Sequence, residues 1–389
     1  QELVPDISLF DHLRTTSAIA ACLYLYHKKS GTLQKSAVEN DRENKFCLLA
    51  GDFSGIQNYI FSIANIGAGG VAKRLRARSF YLSALNEAVS HNLVHRFGLP
   101  LANIIINSGG KFYVLLPNQH NLQEKIKEFQ AELDKWSAEE FDGEIVVNLA
   151  HITFNGKAFR DFGALLGRLA EELAKRKNRP LESHLQQASL WQTERFILQG
   201  KGGKILCQSC GKRPGCYTDA EGVSTCEQCE RDLLLGALLP GISYLAFSYK
   251  SGLPPKYKHS TFPLFDKYTL TLLEDAPAKD FPSYLVYKLN ETNVSEVKSH
   301  PAMPKFMANY IPRAEENQCE NCPGCREEIK PGSNSPLYFD CLANMSRGRK
   351  LLGYLKADVD YLGSLFVFGL KDDKKDLNSI SRIATMSRM

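Results

Sequence analysis

No stretch of this 389-residue chain strings together the eighteen or so apolar residues that a bilayer crossing needs, so no membrane partner is expected. No charged-then-apolar leader opens it either, and a cytoplasmic setting is the expectation. Neither sign of charge dominates. The 48 basic and 43 acidic side chains leave +5, which permits a polyanionic partner without requiring one. An initiator methionine is missing, since the chain begins at Gln1, and residues 379–389 read as a helix cut before its end. A piece of a longer protein is expected. What remains is an ordinary globular balance, 43% hydrophobic and 23% charged, with length for two to four domains.

Cysteine is what the chain has in plenty. Of 11 cysteines, seven fall in two clusters with two-residue spacing, which is the pattern of a metal site in a reducing compartment rather than of a disulfide framework. Cys207-x2-Cys210 and Cys226-x2-Cys229 are separated by 15 residues. Each pair sets two thiolates on one tight knuckle, and two knuckles complete a tetrahedral, closed, structural zinc site. Cys319, Cys322 and Cys325 form a looser group whose nearest fourth cysteine is Cys341. A second metal there and an ordinary reduced loop both remain open.

Apolar spacing predicts a helix over residues 9–27, a polar linker from Lys28 to Lys45, and a strand from Phe46 to Ala50 ending at Gly51-Asp52. A short helix from Ser54, a Gly-rich loop and a long helix from Ala72 to about Arg96 follow. Two β-rich runs, Asn103–Ile106 and Phe112–Leu116, flank the turn Asn107-Ser108-Gly109-Gly110-Lys111, a strong hairpin signal. A helix from Leu122 and a strand over Glu144–Phe154 complete the series. With one helix inserted, that order is the ferredoxin-like plan shared by polymerase and nucleotidyl-cyclase palms, so the expected class is α+β. The topology alone fixes no function. Further on, a helix over residues 158–177 precedes the zinc ribbon, and aromatic-rich strands alternate with turns over 240–291. A second strand, Gly353–Ala357, ends in Asp358-Val359-Asp360. It reads as the start of a second palm.

Residues i and i+2 of a strand share a face, so Asp358 and Asp360 point the same way and suit a hard divalent cation, Mg²⁺ or Mn²⁺, that also holds substrate phosphates. A solvated strand end is the plainer alternative. At the first strand the equivalent positions are Asp52 and Ser54. The facing hairpin, which carries two acids after its glycines in nucleotidyl cyclases, here places Lys111 in an acidic position. The first palm is therefore expected to be catalytically silent, while Gly109, Gly110 and Lys111 remain candidates to receive a nucleotide phosphate. Lys73, Arg74, Arg76 and Arg78 gather at the start of the long helix and are candidates to contact nucleic acid. His12 follows Asp11 in the first helix, and alone it makes no metal site.

Taken together, Pro5–His12, Gly51–Gln57, Arg76–Tyr81, Lys356–Asp360 and the paired knuckles between them resemble the large subunit of Csm-type (III-A) CRISPR complexes. The resemblance runs over nearly the whole chain and is specific only in combination. It implies a remnant of an HD nuclease domain over 1–43, a degenerate first palm over 44–155, a zinc-bearing middle domain over 156–345, and the start of a catalytic second palm over 346–389. It further implies that ATP is converted to cyclic oligoadenylate when target RNA is bound, and that single-stranded DNA is cut by the HD domain. Partner Csm-type subunits and a CRISPR guide RNA are implied as well. His12 matches the last histidine of the HD site, and Asp358 and Asp360 match the first carboxylates of the catalytic palm. A Gly-Gly-Asp-Asp hairpin is expected beyond Met389. Tyr361 departs from the family by replacing a common asparagine. A catalytically inactive scaffold for guide RNA and partner subunits is the alternative.

Overall fold

The computed structural model describes residues 7–62, 70–186, 205–220, 222–249, 255–293, 302–307, 312–314, 337, 339–353, 355, 360–361 and 379–388. The chain divides into two compact units. One comprises Gln1–Asp232, Leu264–Asp266 and Tyr361–Met389, and the other Leu233–Pro263 and Lys267–Asp360. The four-cysteine segment falls in the unit that holds the first palm.

The first unit is built around β1 (Phe46–Ser54), which is buried at every position except the last. Such burial explains its unbroken apolar run, because a strand covered on both faces has no need to alternate. It is antiparallel both to β3 (Lys111–Pro117) and to β4 (Val146–Phe154), and β2 (Ile104–Ser108) pairs outside β3, giving the order β2-β3-β1-β4. That is the ferredoxin-like arrangement. Gly51 lies opposite Phe112, and a Cβ there would sit 2.0 Å from the ring. Glycine lets the phenyl group lie flat across the central strand. The four-cysteine segment adds a small antiparallel ribbon, β5 (Tyr217–Thr218) with β6 (Ser224–Thr225).

Helix α1 (Leu9–Ser30) precedes β1, with a short helix, α2 (Lys35–Glu39), inside the expected linker between them. The buried Lys45 ammonium donates to the carbonyls of Ala37 and Val38 at the C-terminal end of α2, a favourable place for a cation. The short helix expected after β1 is α3 (Ile56–Phe61). Helices α4 (Val71–Arg96), α5 (Leu122–Phe141) and α6 (Phe162–Lys177) pack with α1 on the sheet. Residues 84–94 of α4 are buried without a break, so that stretch is enclosed on all sides. By contrast α5 buries Leu122, Ile126, Phe129, Leu133 and Phe141, the single stripe of an amphipathic helix. The Gln130 amide pins α5 to the sheet, donating to the Val147 carbonyl at 2.8 Å and accepting from the Leu149 amide at 2.8 Å. On the other side, Arg14 of α1 donates to the carbonyls of Ile104 and Ile105, each at 3.0 Å. The Thr15 hydroxyl lies 2.6 Å from that of Ser381, joining α1 to the helix Ile380–Arg388.

The second unit carries a five-stranded sheet formed by β7 (Tyr244–Tyr249), β8 (Thr261–Pro263), β9 (Tyr268–Leu273), β10 (Ser283–Leu289) and β11 (Met303–Lys305). Their order is β11-β10-β7-β9-β8. The aromatic content of residues 240–291 serves this sheet: Tyr249, Tyr268 and Tyr284 contact one another with ring centroids 5.3–5.8 Å apart. Gly353 and Leu355 lie in irregular backbone and not in the expected strand; Tyr354, Lys356, Ala357 and Asp358 are outside the described residues. Among the described residues no helix is long and apolar enough to cross a membrane.

Candidate functional site

At the end of β1 the chain brings together Asp52, Ser54 and Lys111. Asp52 is 3% exposed, and two ammonium groups converge on it. Lys111, directly across the β1–β3 pairing, reaches one carboxylate oxygen at 3.5 Å, and Lys177 at the end of α6 reaches the other at 2.6 Å. The Ser54 hydroxyl sits 3.5 Å from the second oxygen and receives the Asn148 amide at 3.2 Å. Gly109 and Gly110 both have positive φ in the hairpin turn, and the Gly110 carbonyl accepts from the Phe53 amide at 2.8 Å. This carboxylate is already neutralised by two cations of the chain itself, so a divalent ion would have to displace both. Lys111 was legible in the hairpin. Lys177 was not, since a basic run closing a helix reads as a favourable end to its dipole. The Lys177→Met variant is expected to cost about 1–2 kcal/mol, between the worth of an exposed pair and that of a buried one, and to cost nothing in an Asp52→Asn background. Equal losses in both backgrounds, read by urea denaturation, would show that the pair contributes no coupling.

The four cysteines expected to hold zinc do meet. Their sulfurs all lie within 4.8 Å of one another, with Cys210 and Cys226 at 3.9 Å. Ligands 2.3 Å from a tetrahedral ion stand about 3.8 Å apart, so the cluster has the dimensions of a four-cysteine zinc site. The first knuckle is closed by hydrogen bonds from the Gly211 amide to the Cys207 carbonyl at 2.7 Å and from the Cys207 amide to the Arg213 carbonyl at 2.8 Å. Cys226 immediately precedes α7 (Glu227–Leu238) and Cys229 lies in its first turn, where the helix N-terminus favours thiolates. Contacts from Cys226 and Cys229 hold the Cys210 thiol well below the usual range, whereas sharing with Cys210 first, and burial after it, pushes Cys226 up to about 11. Four cysteine sulfurs gathered this closely are the donor set of a dication such as zinc. The residues present fit zinc, which would organise the fold and perform no chemistry.

The remaining candidates are dispersed. Arg74 and Arg78, expected to contact nucleic acid, are each 2% exposed and turned toward the second knuckle. Arg74 donates to the Cys229 carbonyl at 3.3 Å, and Arg78 pairs with Asp232 at 2.8 Å. Buried side chains cannot reach a polyanion, so this pair is corrected to a structural role. Lys73 is exposed and Arg76 half-buried on the same helix. His12 is exposed on α1 and joins no group of metal-ligating side chains among the described residues. Asp360 is exposed in a turn, while Asp358, Cys319, Cys322 and Cys325 lie outside the described residues. Cys341 is buried in the helix Phe339–Asn344.

Residues 45–195 match the family described as Csm1 subunit domain B. Over 98% of its length the chain is 28% identical to a protein of Thermococcus onnurineus named CRISPR system single-strand-specific deoxyribonuclease Cas10/Csm1 (subtype III-A). It is 26% identical over 99% of its length to the protein of that name from Enterococcus italicus. The chain spans 45% and 48% of those relatives, about half their length. Among solved structures, a Csm1-Csm4 cassette in complex with one ATP superposes with a TM-score of 0.65 at 25% identity, covering 98% of this chain and 43% of that one. A Csm1-Csm4 cassette in complex with cA3 gives 0.63 at 24% identity, again covering 98% of this chain.

Proposed function

We propose, from the premise that this chain belongs with the Cas10/Csm1 large subunits of type III-A CRISPR systems, that it is the palm-bearing part of a subunit that makes cyclic oligoadenylate from ATP. The observation that carries this reading is the coincidence of a ferredoxin-like palm with a four-cysteine knuckle, in a chain that its relatives match along 98% of its length. In the complete protein, single-stranded DNA cleavage belongs to the same subunit, as the relatives' name says of them.

The two palms divide the work. The first presents Asp52 already held by Lys111 and Lys177, so it holds no catalytic metal. Chemistry falls to the second, where Asp358 and Asp360 are the proposed carboxylates for Mg²⁺ or Mn²⁺. Such an ion, when bound, supplies charge to the transferring phosphoryl group and the departing pyrophosphate. The chain's own part is to hold a 3′-hydroxyl in line with an α-phosphate. Target RNA and guide RNA would reach this segment through the complex, and a Csm4-type subunit is the proposed neighbour.

The test is oligoadenylate synthesis by the full-length subunit in its complex, with ATP, Mn²⁺ and target RNA. Wild type is expected to form product, and Asp358→Ala with Asp360→Ala to form at least about 100-fold less, as befits loss of the metal's ligands. Equal product from both proteins, or none from wild type, would sink the reading.

A further inference from the structure

Among the contacts that join the knuckle to the palm, one buried side chain touches a metal-site sulfur on one side and the carbonyls of Tyr59 and Ser62 on the other. Arg78 sits two turns into α4 with its side chain 3% exposed. On the knuckle side its Nε donates to Asp232 at 2.8 Å and its Nη2 to the Cys229 sulfur at 3.6 Å. On the palm side its Nη1 donates to the carbonyls of Tyr59 at 2.8 Å and Ser62 at 3.3 Å, and the guanidinium stacks 5.1 Å from the Tyr59 ring centroid. Those carbonyls belong to the C-terminal end of α3, the short helix that follows the Asp52 strand. Gln228, between the two cysteines of the second knuckle, adds a hydrogen bond to the Tyr59 hydroxyl at 3.0 Å. Four thiolates around Zn²⁺ carry a net charge of about −2, and Asp232, fully buried, adds another negative charge. Burying that much charge requires counter-charge in contact with it. Arg78 touches both anions, and the second Asp232 oxygen has no hydrogen-bond partner among the described residues.

We propose that Arg78 is a positioning residue that couples metal loading of the knuckle to the seating of α3 on the palm. With the metal bound, the Cys229 thiolate and Asp232 fix the guanidinium, whose remaining N–H groups cap α3. Without it, nothing holds the four sulfurs in one arrangement, the anchor on the Cys229 sulfur loosens, and the α3 carbonyls lose their fixed donor. α3 is preceded by Gly55, where φ is +91° and a Cβ would lie 1.9 Å from the Glu144 carbonyl oxygen. Its N-terminal side is therefore held by backbone packing, and its C-terminal side by Arg78. Metal occupancy is thereby reported at the strand end that carries Asp52.

Hydrogen exchange on the full chain, before and after a chelator removes zinc, reads this coupling without any substitution. Amides of residues 56–62 are expected to exchange at least about tenfold faster in the metal-free protein, while those of the β2–β3 hairpin stay protected. Unchanged exchange in 56–62 would overturn the proposal, and so would an equal rise throughout the sheet. A second measurement uses Arg78→Lys, which keeps the charge but cannot contact sulfur, carboxylate and carbonyls at once. Zinc transfer to a chelating dye is expected to speed up about tenfold, the low end for loss of a group supporting a metal ligand. In the cobalt-substituted protein the thiolate charge-transfer band is expected to shift, a signature that looser packing alone would not move. Tyr59→Phe, which deletes only the Gln228 contact, should leave that band in place. A wild-type band and release rate in Arg78→Lys would overturn the proposal.

Discussion

Cys226→Ser is expected to reduce bound zinc from about one ion per chain to background and to unfold the knuckle, since a tetrahedral site that loses a thiolate loses most of its affinity. Structural zinc is worth about 10–16 kcal/mol in isolated finger peptides, comparable with the whole stability of a domain. The β5–β6 ribbon has only two residues in each strand, too little to hold its shape unaided. The four-stranded sheet has its own core and is expected to stay folded, so the loss should appear as an early, separate transition on heating. Cys216→Ser is the control. Cys216 lies close in sequence but is exposed and stands apart from the four-sulfur cluster. Elemental analysis of the purified proteins decides the matter: Cys226→Ser retaining zinc at the wild-type level would remove the knuckle from this account.

Gly51→Ala is the second substitution with a large expected effect. The added methyl would meet the Phe112 ring at 2.0–2.6 Å from three of its carbons, and that ring is fully buried in the centre of the sheet. Overpacking usually costs about 1–3 kcal/mol, and with no free direction for the ring a loss of about 3 kcal/mol is expected. Phe112→Leu alone is also expected to destabilise, by leaving a cavity. Combined, the two should cost less than their sum by at least about 1 kcal/mol, because each relieves the defect of the other. Strict additivity in urea denaturation would mean that the ring does not lie over the glycine.

How far the sequence foretold these features depended on the range of the forces involved. The palm was legible because its signals are local. An apolar run from Phe46, a Gly-Gly turn and an amphipathic stripe over α5 each report on their own neighbourhood. The knuckles were legible for the same reason, since metal-ligand spacing is a short-range rule. Sequence reasoning went astray where one residue answers to another far along the chain. Arg74 and Arg78 stand in a basic cluster expected to contact nucleic acid, although their spacing of four places them on one face, apart from Lys73. Their partners, Cys229 and Asp232, lie more than 150 residues away. Lys177 belongs to Asp52 by the same long reach. Helix α2 escaped notice because five residues carry little periodicity, and its C-terminal carbonyls are satisfied by Lys45, a residue outside it.

The two Arg14 hydrogen bonds to Ile104 and Ile105 bear on the solubility of the first unit. β2 is the outermost strand on its side, and an uncovered border of that kind invites another chain to add on. A guanidinium fixed on two of its carbonyls, with the helix Ile380–Arg388 laid alongside, occupies the positions an incoming strand would use. Protection against self-association is thus supplied by segments remote in sequence from the strand they shield, and the sheet stops at four strands on that flank.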